Sequence, residues 1–199
     1  VKVKGLADYV TQVDTNIQNF LREKLGELAP EVEFLGEEDG LHAMKGDTLW
    51  ILDPIDGTTN LVHDYQHSTV SLGLYSKGEI ILGVIYDPFR EEMFYAEKGK
   101  GSFVNGRPIH VAETENLGQT IIAIGTAPYQ KELAPRNFAC FQRVFEKCED
   151  IRRTGSAAMD LAYTAAGRIG GYFEARLQPW DFAAGMLILT EAGGKITRY

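Results

Sequence analysis

The sequence predicts a layered α+β fold. Three observations carry this. Between about residues 68 and 104 the chain is a run of short apolar and β-branched segments separated by turn signals, which reads as an antiparallel meander. Before and after that run, apolar residues recur at helical spacing. Strand-like and helix-like segments then alternate to the end of the chain, so helices have sheet faces to cover.

Taken in order, Val13, Ile17, Phe20, Leu21, Leu25 and Leu28 predict an amphipathic helix over about 12–28, closed by Pro30. Thr11 and Asp14 are spaced as a capping box at its start. Residues 32–35 and 48–53 read as short strands, the second ending on a carboxylate. Residues 68–75 and 79–86 form a hairpin about Lys77-Gly78. Residues 93–96 and 102–104 continue the meander, and Asn105-Gly106 is a strong hairpin turn because both residues tolerate positive φ. Strands are expected at 119–124, 150–153 and 171–174, and helices at 132–147, 156–167 and 181–192. Gly193-Gly194 stops the last helix. The chain opens on Val1 and stops at Tyr199 soon after a strand begins, so one domain is expected that lacks its first helix and last strands.

Composition narrows the function. A 44% apolar and 24% charged chain is an ordinary water-exposed globular protein. A net charge of −8 argues against nucleic acid as a main partner, because phosphate backbones need a basic face. A phosphate ester stays within reach if metal ions reverse the local sign. Cys140 and Cys148 fit reduced thiols of a cytoplasmic protein. No apolar run reaches the ~18 residues of a membrane span, and no signal peptide is visible. His42, His63, His67 and His110 have no mutual metal spacing and read as surface or packing residues.

The chemistry concentrates in Trp50-Ile51-Leu52-Asp53-Pro54-Ile55-Asp56-Gly57-Thr58-Thr59-Asn60. Asp53 and Asp56 flank a stiff Pro54-Ile55 turn, which can aim two carboxylates and the Ile55 carbonyl at one point. Hard cations such as Mg²⁺ take such oxygen-only sets. A plain capped turn is the competing reading. If a helix begins here, Gly57 and Thr58 offer free amides to an anion. Glu37 stands in Gly36-Glu37-Glu38-Asp39-Gly40 directly after a strand, either as a cleft residue or in a solvated loop. Asp181, beside Trp180, is either a ligand or an ordinary helix cap.

Together these segments resemble the inositol monophosphatase family. The turn above is similar to its first signature. Trp180-Asp181-Phe182-Ala183-Ala184-Gly185 with Glu191-Ala192-Gly193-Gly194 is similar to its second. Leu35-Gly36-Glu37-Glu38 and Asp8-Tyr9-Val10-Thr11-Gln12-Val13-Asp14 match its upstream segments, all in family order. Leu61 stands where the family usually has Phe. The resemblance implies a layered αβαβα sandwich and Mg²⁺-dependent hydrolysis of a small phosphomonoester, with inositol monophosphate as the expected substrate. Relatives acting on fructose 1,6-bisphosphate, NADP, 3′-nucleotides or histidinol phosphate, or a catalytically silent binding protein, are the alternatives.

It further implies two or three Mg²⁺ ions. Glu37, Asp53 and the Ile55 carbonyl would hold one, and Asp53, Asp56 and Asp181 a second. A third would again use Glu37. Thr58, oriented by Asp14, would help deprotonate the attacking water. The Gly57 and Thr58 amides would bind phosphate, with Asp56 and Asp181 alongside. Gly155, Ser156, Ala157 and Glu174 would contact the sugar alcohol. Lithium sensitivity and a homodimer are also family expectations.

Overall fold

A computed structural model describes residues 2–5, 8–41 and 46–197, with backbone alone at 3–5 and 8–10; His42 lies outside these residues. Two short antiparallel strands, β1 (Lys2–Gly5) and β2 (Asp8–Val10), precede helix α1 (Gln12–Leu28). Neither strand is long enough for an alternation to be legible in sequence. Strand β3 (Glu33–Gly36) then pairs in parallel with β4 (Thr48–Asp56), and a short helix α2 (Thr58–Val62) follows. Strands β5 (Thr69–Ser76), β6 (Glu79–Asp87), β7 (Glu92–Glu97), β8 (Ser102–Val104) and β9 (Arg107–Ile109) continue as the antiparallel meander. These seven strands, β3 to β9, form one sheet. Lys77 and Asn105 adopt positive φ beside Gly78 and Gly106, the geometry of tight hairpins.

The remainder is β10 (Ile121–Ile124), α3 (Ala134–Phe145), β11 (Asp150–Arg152), α4 (Ala157–Ala165), β12 (Gly171–Phe173) and α5 (Pro179–Glu191). The three strands form a second, parallel sheet in the order β11-β10-β12. Residues 117–119 are a 3-10 turn rather than the start of the strand. The chain thus stacks as α1, the large sheet, α4 with α5, the small sheet and α3, which is the αβαβα layering. Phe141 of α3 packs on Phe173 of β12 at 5.7 Å between centroids.

Helix α5 sits very close to the large sheet, and two glycines permit it. A Cβ at Gly83 would lie 2.6 Å from the Ala184 carbonyl oxygen, and one at Gly73 would lie 3.2 Å from the Ala183 Cβ. The core between them is apolar and closed, with Ile85, Phe94, Met159 and Ile188 fully buried. Dense packing of this kind fixes α5, and hence the residue at its first turn, against the sheet.

Two sequence expectations need correction. Strand β4 does not end on Asp53 but runs to Asp56. Its pairing with β5 steps from Asp53↔Ser71 to Asp56↔Thr69, so Pro54 and Ile55 on one strand face the single residue Val70 on the other. That is a bulge, and Pro54, which has no N–H to give a ladder, sits inside it. The second correction concerns α1. Its apolar spacing predicts a core face, yet Val13, Phe20 and Leu28 are 48%, 59% and 75% exposed. The buried residues of the helix are Asp14 and Gln18, because those two polar groups have partners on the neighbouring elements.

Candidate active site

The bulge places both aspartates at the cleft. In a regular strand, residues three apart point to opposite faces. One extra residue inverts the alternation, and Asp53 and Asp56 both line a cavity of about 560 Å³. Asp53 is 3% exposed, and its Oδ1 accepts the Ile55 amide at 2.9 Å, which stiffens the turn. Gly57 then adopts φ 89°, a left-handed conformation that glycine supplies without steric cost, and α2 starts at Thr58. Its first amides have no intrahelical acceptor and stand at the cleft. The helix on which the anion reading of Gly57 and Thr58 depends is therefore present.

Thr58 and Asp14 meet, as the family resemblance implies. Thr58 Oγ1 lies 3.1 Å from Asp14 Oδ1 and 3.0 Å from the Ile55 carbonyl oxygen. One hydroxyl proton is thus offered two acceptors. Asp14 is fully buried, and its Oδ2 also accepts the Thr11 amide at 2.9 Å and the Thr11 hydroxyl at 2.5 Å. The capping box uses Oδ2 of Asp14, which leaves Oδ1 to face Thr58.

Glu37 begins the 3-10 turn Glu37–Asp39 after β3. Gln18 of α1 holds that turn, its side-chain oxygen accepting the Glu38 amide at 3.1 Å. Gly36 makes room, since any Cβ there would collide with the Gln18 amide. At the opposite side, Asp181 occupies the first turn of α5, where Pro179 starts the helix and the Gln178 amide donates to Asp181 Oδ2 at 2.6 Å.

The electrostatics of this group are one-sided. Burial first, and then the charges of Glu37, Asp56 and Asp181, push the Asp53 carboxyl well above the ordinary range, and Glu37 is within hydrogen-bonding reach of it. Asp181 is pushed to about 8 by burial and then by Asp56. Asp56 is raised to about 6 by burial, against which the Ser156 hydroxyl and the Ala158 amide work, at 2.6 and 2.7 Å. Buried carboxylates at such spacing share protons or take a cation. Among the described residues no three acidic, His or Cys side chains already converge on one point. The carboxylates surround the cleft as an open oxygen-only set with the Ile55 carbonyl. That set fits a hard divalent cation in donor chemistry, and a bound cation would offset both the burial and the repulsion that raise these pKa values.

The other wall comes from the small sheet. All three parallel strands run out at the cleft, where ligands of parallel sheets bind. The segment after β10 delivers residues 125 and 127–130, that after β11 residues 153 and 155–157, and that after β12 residues 174–178. Gly155, Ser156, Ala157 and Glu174 therefore all line the cavity. Ser156 is committed to Asp56 and to the cap of α4, whose Met159 amide reaches it at 3.3 Å.

Two residues at this site escape sequence reasoning. Asn60 Nδ2 donates to the His67 carbonyl at 2.7 Å and to the Thr154 carbonyl at 2.9 Å, tying α2 to the loop after β11. Asp160 of α4 is 2% exposed, accepts the Thr154 hydroxyl at 2.8 Å, and is raised to about 8, chiefly by burial. Its one available signal was a lone charge on an otherwise apolar helix. Of the histidines, His63 and His110 are exposed, and His67 packs edge-on to Tyr65 and Tyr163.

Comparisons with known proteins place the whole assembly. The model of the inositol monophosphatase family matches residues 1–199. Over 197 residues the chain is 40% identical to the Nus factor SuhB of Escherichia coli strain K12, covering 98% of this chain and 74% of that one. The structure of inositol monophosphatase from Anabaena (Nostoc) sp. PCC 7120 superposes with a TM-score of 0.88 at 41% identity, covering 94% of this chain and 74% of that one. The staphylococcal SaIMPase-II, in a structure with inositol monophosphate bound, superposes with a TM-score of 0.84 at 34% identity, covering 94% and 72%.

Proposed function

The chain belongs to the inositol monophosphatase family, and from that premise we propose that it hydrolyses a small phosphorylated polyol, inositol monophosphate first, with Mg²⁺ as cofactor. The observation that carries this reading is the buried Asp53 carboxyl, in reach of Glu37 and facing Asp56 and Asp181 across one cleft. Glu37, Asp53, Asp56, Asp181 and the Ile55 carbonyl would hold the Mg²⁺ ions. When bound, Mg²⁺ lowers the pKa of water and neutralises phosphoryl charge, which is most of what phosphoryl transfer asks of a protein.

The chain's own groups do the rest. The Gly57 and Thr58 amides at the start of α2 hold two phosphate oxygens, as an unsatisfied helix start does for anions. Thr58 Oγ1 receives the proton of the attacking water while its own hydrogen passes to Asp14 Oδ1, 3.1 Å away. Glu37 flanks the same water. Asp56, anchored by Ser156 and Ala158, keeps the loop after β11 in register with the phosphate-binding turn. Glu174 accepts hydroxyl hydrogens from the leaving alcohol. Inositol monophosphate bound to SaIMPase-II supports a substrate of this class.

The test is phosphate release with and without Mg²⁺ on inositol 1-phosphate, fructose 1,6-bisphosphate, NADP, a 3′-nucleotide and histidinol phosphate. Mg²⁺-dependent release is expected, fastest with inositol 1-phosphate and suppressed by millimolar lithium. Release from none of the five would discard the hydrolase reading. It would favour the second one, a non-enzymatic factor, for which the name Nus factor SuhB carried by a 40% identical relative is the supporting observation.

A further inference from the structure

Glu174 is held more tightly than a surface strand-end carboxylate requires. The Tyr172 hydroxyl donates to its Oε2 at 2.6 Å, and the Ala127 amide donates to its Oε1 at 2.9 Å. Ala127 is buried at 6% and adopts φ 48°, a left-handed conformation unusual for a residue with a Cβ. Left-handed non-glycine residues persist only where the surroundings over-determine them, and they cluster at ligand sites. Gly125 completes the arrangement. A Cβ there would overlap the Glu174 carboxyl group itself, so the carboxylate occupies the space a side chain would fill. The Gly125 amide meanwhile bonds the Phe173 carbonyl at 3.0 Å, keeping the ends of β10 and β12 in register.

The consequence is directional. A carboxylate has roughly four lone-pair positions. The protein occupies one on each oxygen and fixes the plane of the group, and Glu174 lines the cleft with the remainder. Burial keeps the Tyr172 phenol well above its usual range, so it stays protonated and able to donate to Glu174. A substrate hydroxyl thus meets an acceptor already oriented, and the entropy of ordering it is not charged to binding. We propose that Tyr172, Ala127 and Gly125 form a positioning clamp that makes Glu174 a reader of vicinal hydroxyls and so sets the preference for polyol phosphates over phosphomonoesters without hydroxyls. This rests on the hydrolase reading above, and it assigns the three clamp residues to specificity rather than to the chemical step.

The experiment compares inositol 1-phosphate with 4-nitrophenyl phosphate, which has no hydroxyl to offer, under Mg²⁺. Tyr172→Phe removes one donor and should lower the ratio of kcat/KM values, inositol 1-phosphate over 4-nitrophenyl phosphate, about tenfold, mainly through KM. Gly125→Ala displaces the carboxylate outright and should lower that ratio further, toward the value for Glu174→Gln. Turnover of 4-nitrophenyl phosphate reports that each variant is folded. Equal loss on both substrates, or an unchanged ratio in both variants, overturns the clamp. A wild-type protein that hydrolyses 4-nitrophenyl phosphate without preferring inositol 1-phosphate also overturns it, while leaving the hydrolase reading intact. A wild-type protein that hydrolyses neither overturns both.

Discussion

Helix α5 carries an acidic residue at each end, and the two do different work. Asp181, in its first turn, lies beside other buried carboxylates and lines the cleft. Glu191, its last residue, reaches away from the cleft to the turn between β7 and β8, where its two oxygens accept the Gly99 and Gly101 amides at 2.8 and 2.9 Å. Asp181 faces like charge, and Glu191 faces donors. A carboxylate surrounded by donors is a structural bracket. One surrounded by carboxylates is destabilised as it stands and waits for a cation. In the sequence both belong to one short segment, so only their surroundings separate the roles.

The largest effect should come from Asp181→Asn. Removing a charge from the proposed ligand set should lower kcat/KM for inositol 1-phosphate by on the order of a thousandfold, with little change in the thermal midpoint of the metal-free protein at pH 5.5. A variant within tenfold of wild type would remove Asp181 from the site. Gly83→Ala attacks the helix that both residues share. Its Cβ would meet the Ala184 carbonyl, so α5 must move off the sheet, and overpacking of this kind costs about 1–3 kcal/mol. Denaturant unfolding checks it, and an unchanged midpoint would mean that the close approach is not what seats α5. Glu191→Gln keeps one acceptor oxygen and loses the other, so it should cost about 1 kcal/mol and leave phosphate release near the wild-type rate. A variant that folds normally but loses turnover would erase the contrast between the two ends.

The contrast also shows what could be read from sequence. Glu37, Asp53, Asp56 and Asp181 were singled out by the family resemblance, since read alone each competed with a solvated loop, a capped turn or a helix cap, and all four line the cleft. The hairpins at Lys77-Gly78 and Asn105-Gly106 were legible because backbone rules apply locally there. Residues whose role depends on a distant partner were not. Asn60 works by reaching Thr154, far along the chain, and Tyr172 works by donating to a residue whose own setting depends on Gly125. The facing of α1 was misread because periodicity locates an apolar stripe without saying which face has partners. Asp14 and Gln18 turn inward because Thr58 and the Glu38 amide are there to receive them. These two polar residues share the inward face with Ile17, Leu21 and Leu25, which are half-buried.

The most general effect is a pH dependence that comes from the crowded end of α5 and not from the bracketed end. Asp56, Asp160 and Asp181 have folded-state pKa values of about 6, 8 and 8, against about 3.9 for an aspartate in an unfolded chain. Each is raised, so between these values the folded protein holds protons that the unfolded chain has released. Stability from these groups is therefore complete below about pH 4 and declines as pH rises through 6 to 8. Metal binding needs the deprotonated forms, so its contribution grows over the same interval. The metal-free protein should melt at a lower temperature at pH 8 than at pH 5.5, and millimolar Mg²⁺ should raise the midpoint more at pH 8 than at pH 5.5. Asp181→Asn should flatten the metal-free decline and shrink the Mg²⁺ increment together, because one side chain is responsible for part of both. A metal-free midpoint that climbs from pH 5.5 to pH 8 would mean that the carboxylates at the cleft are not in the mutual repulsion on which the proposed cation site rests.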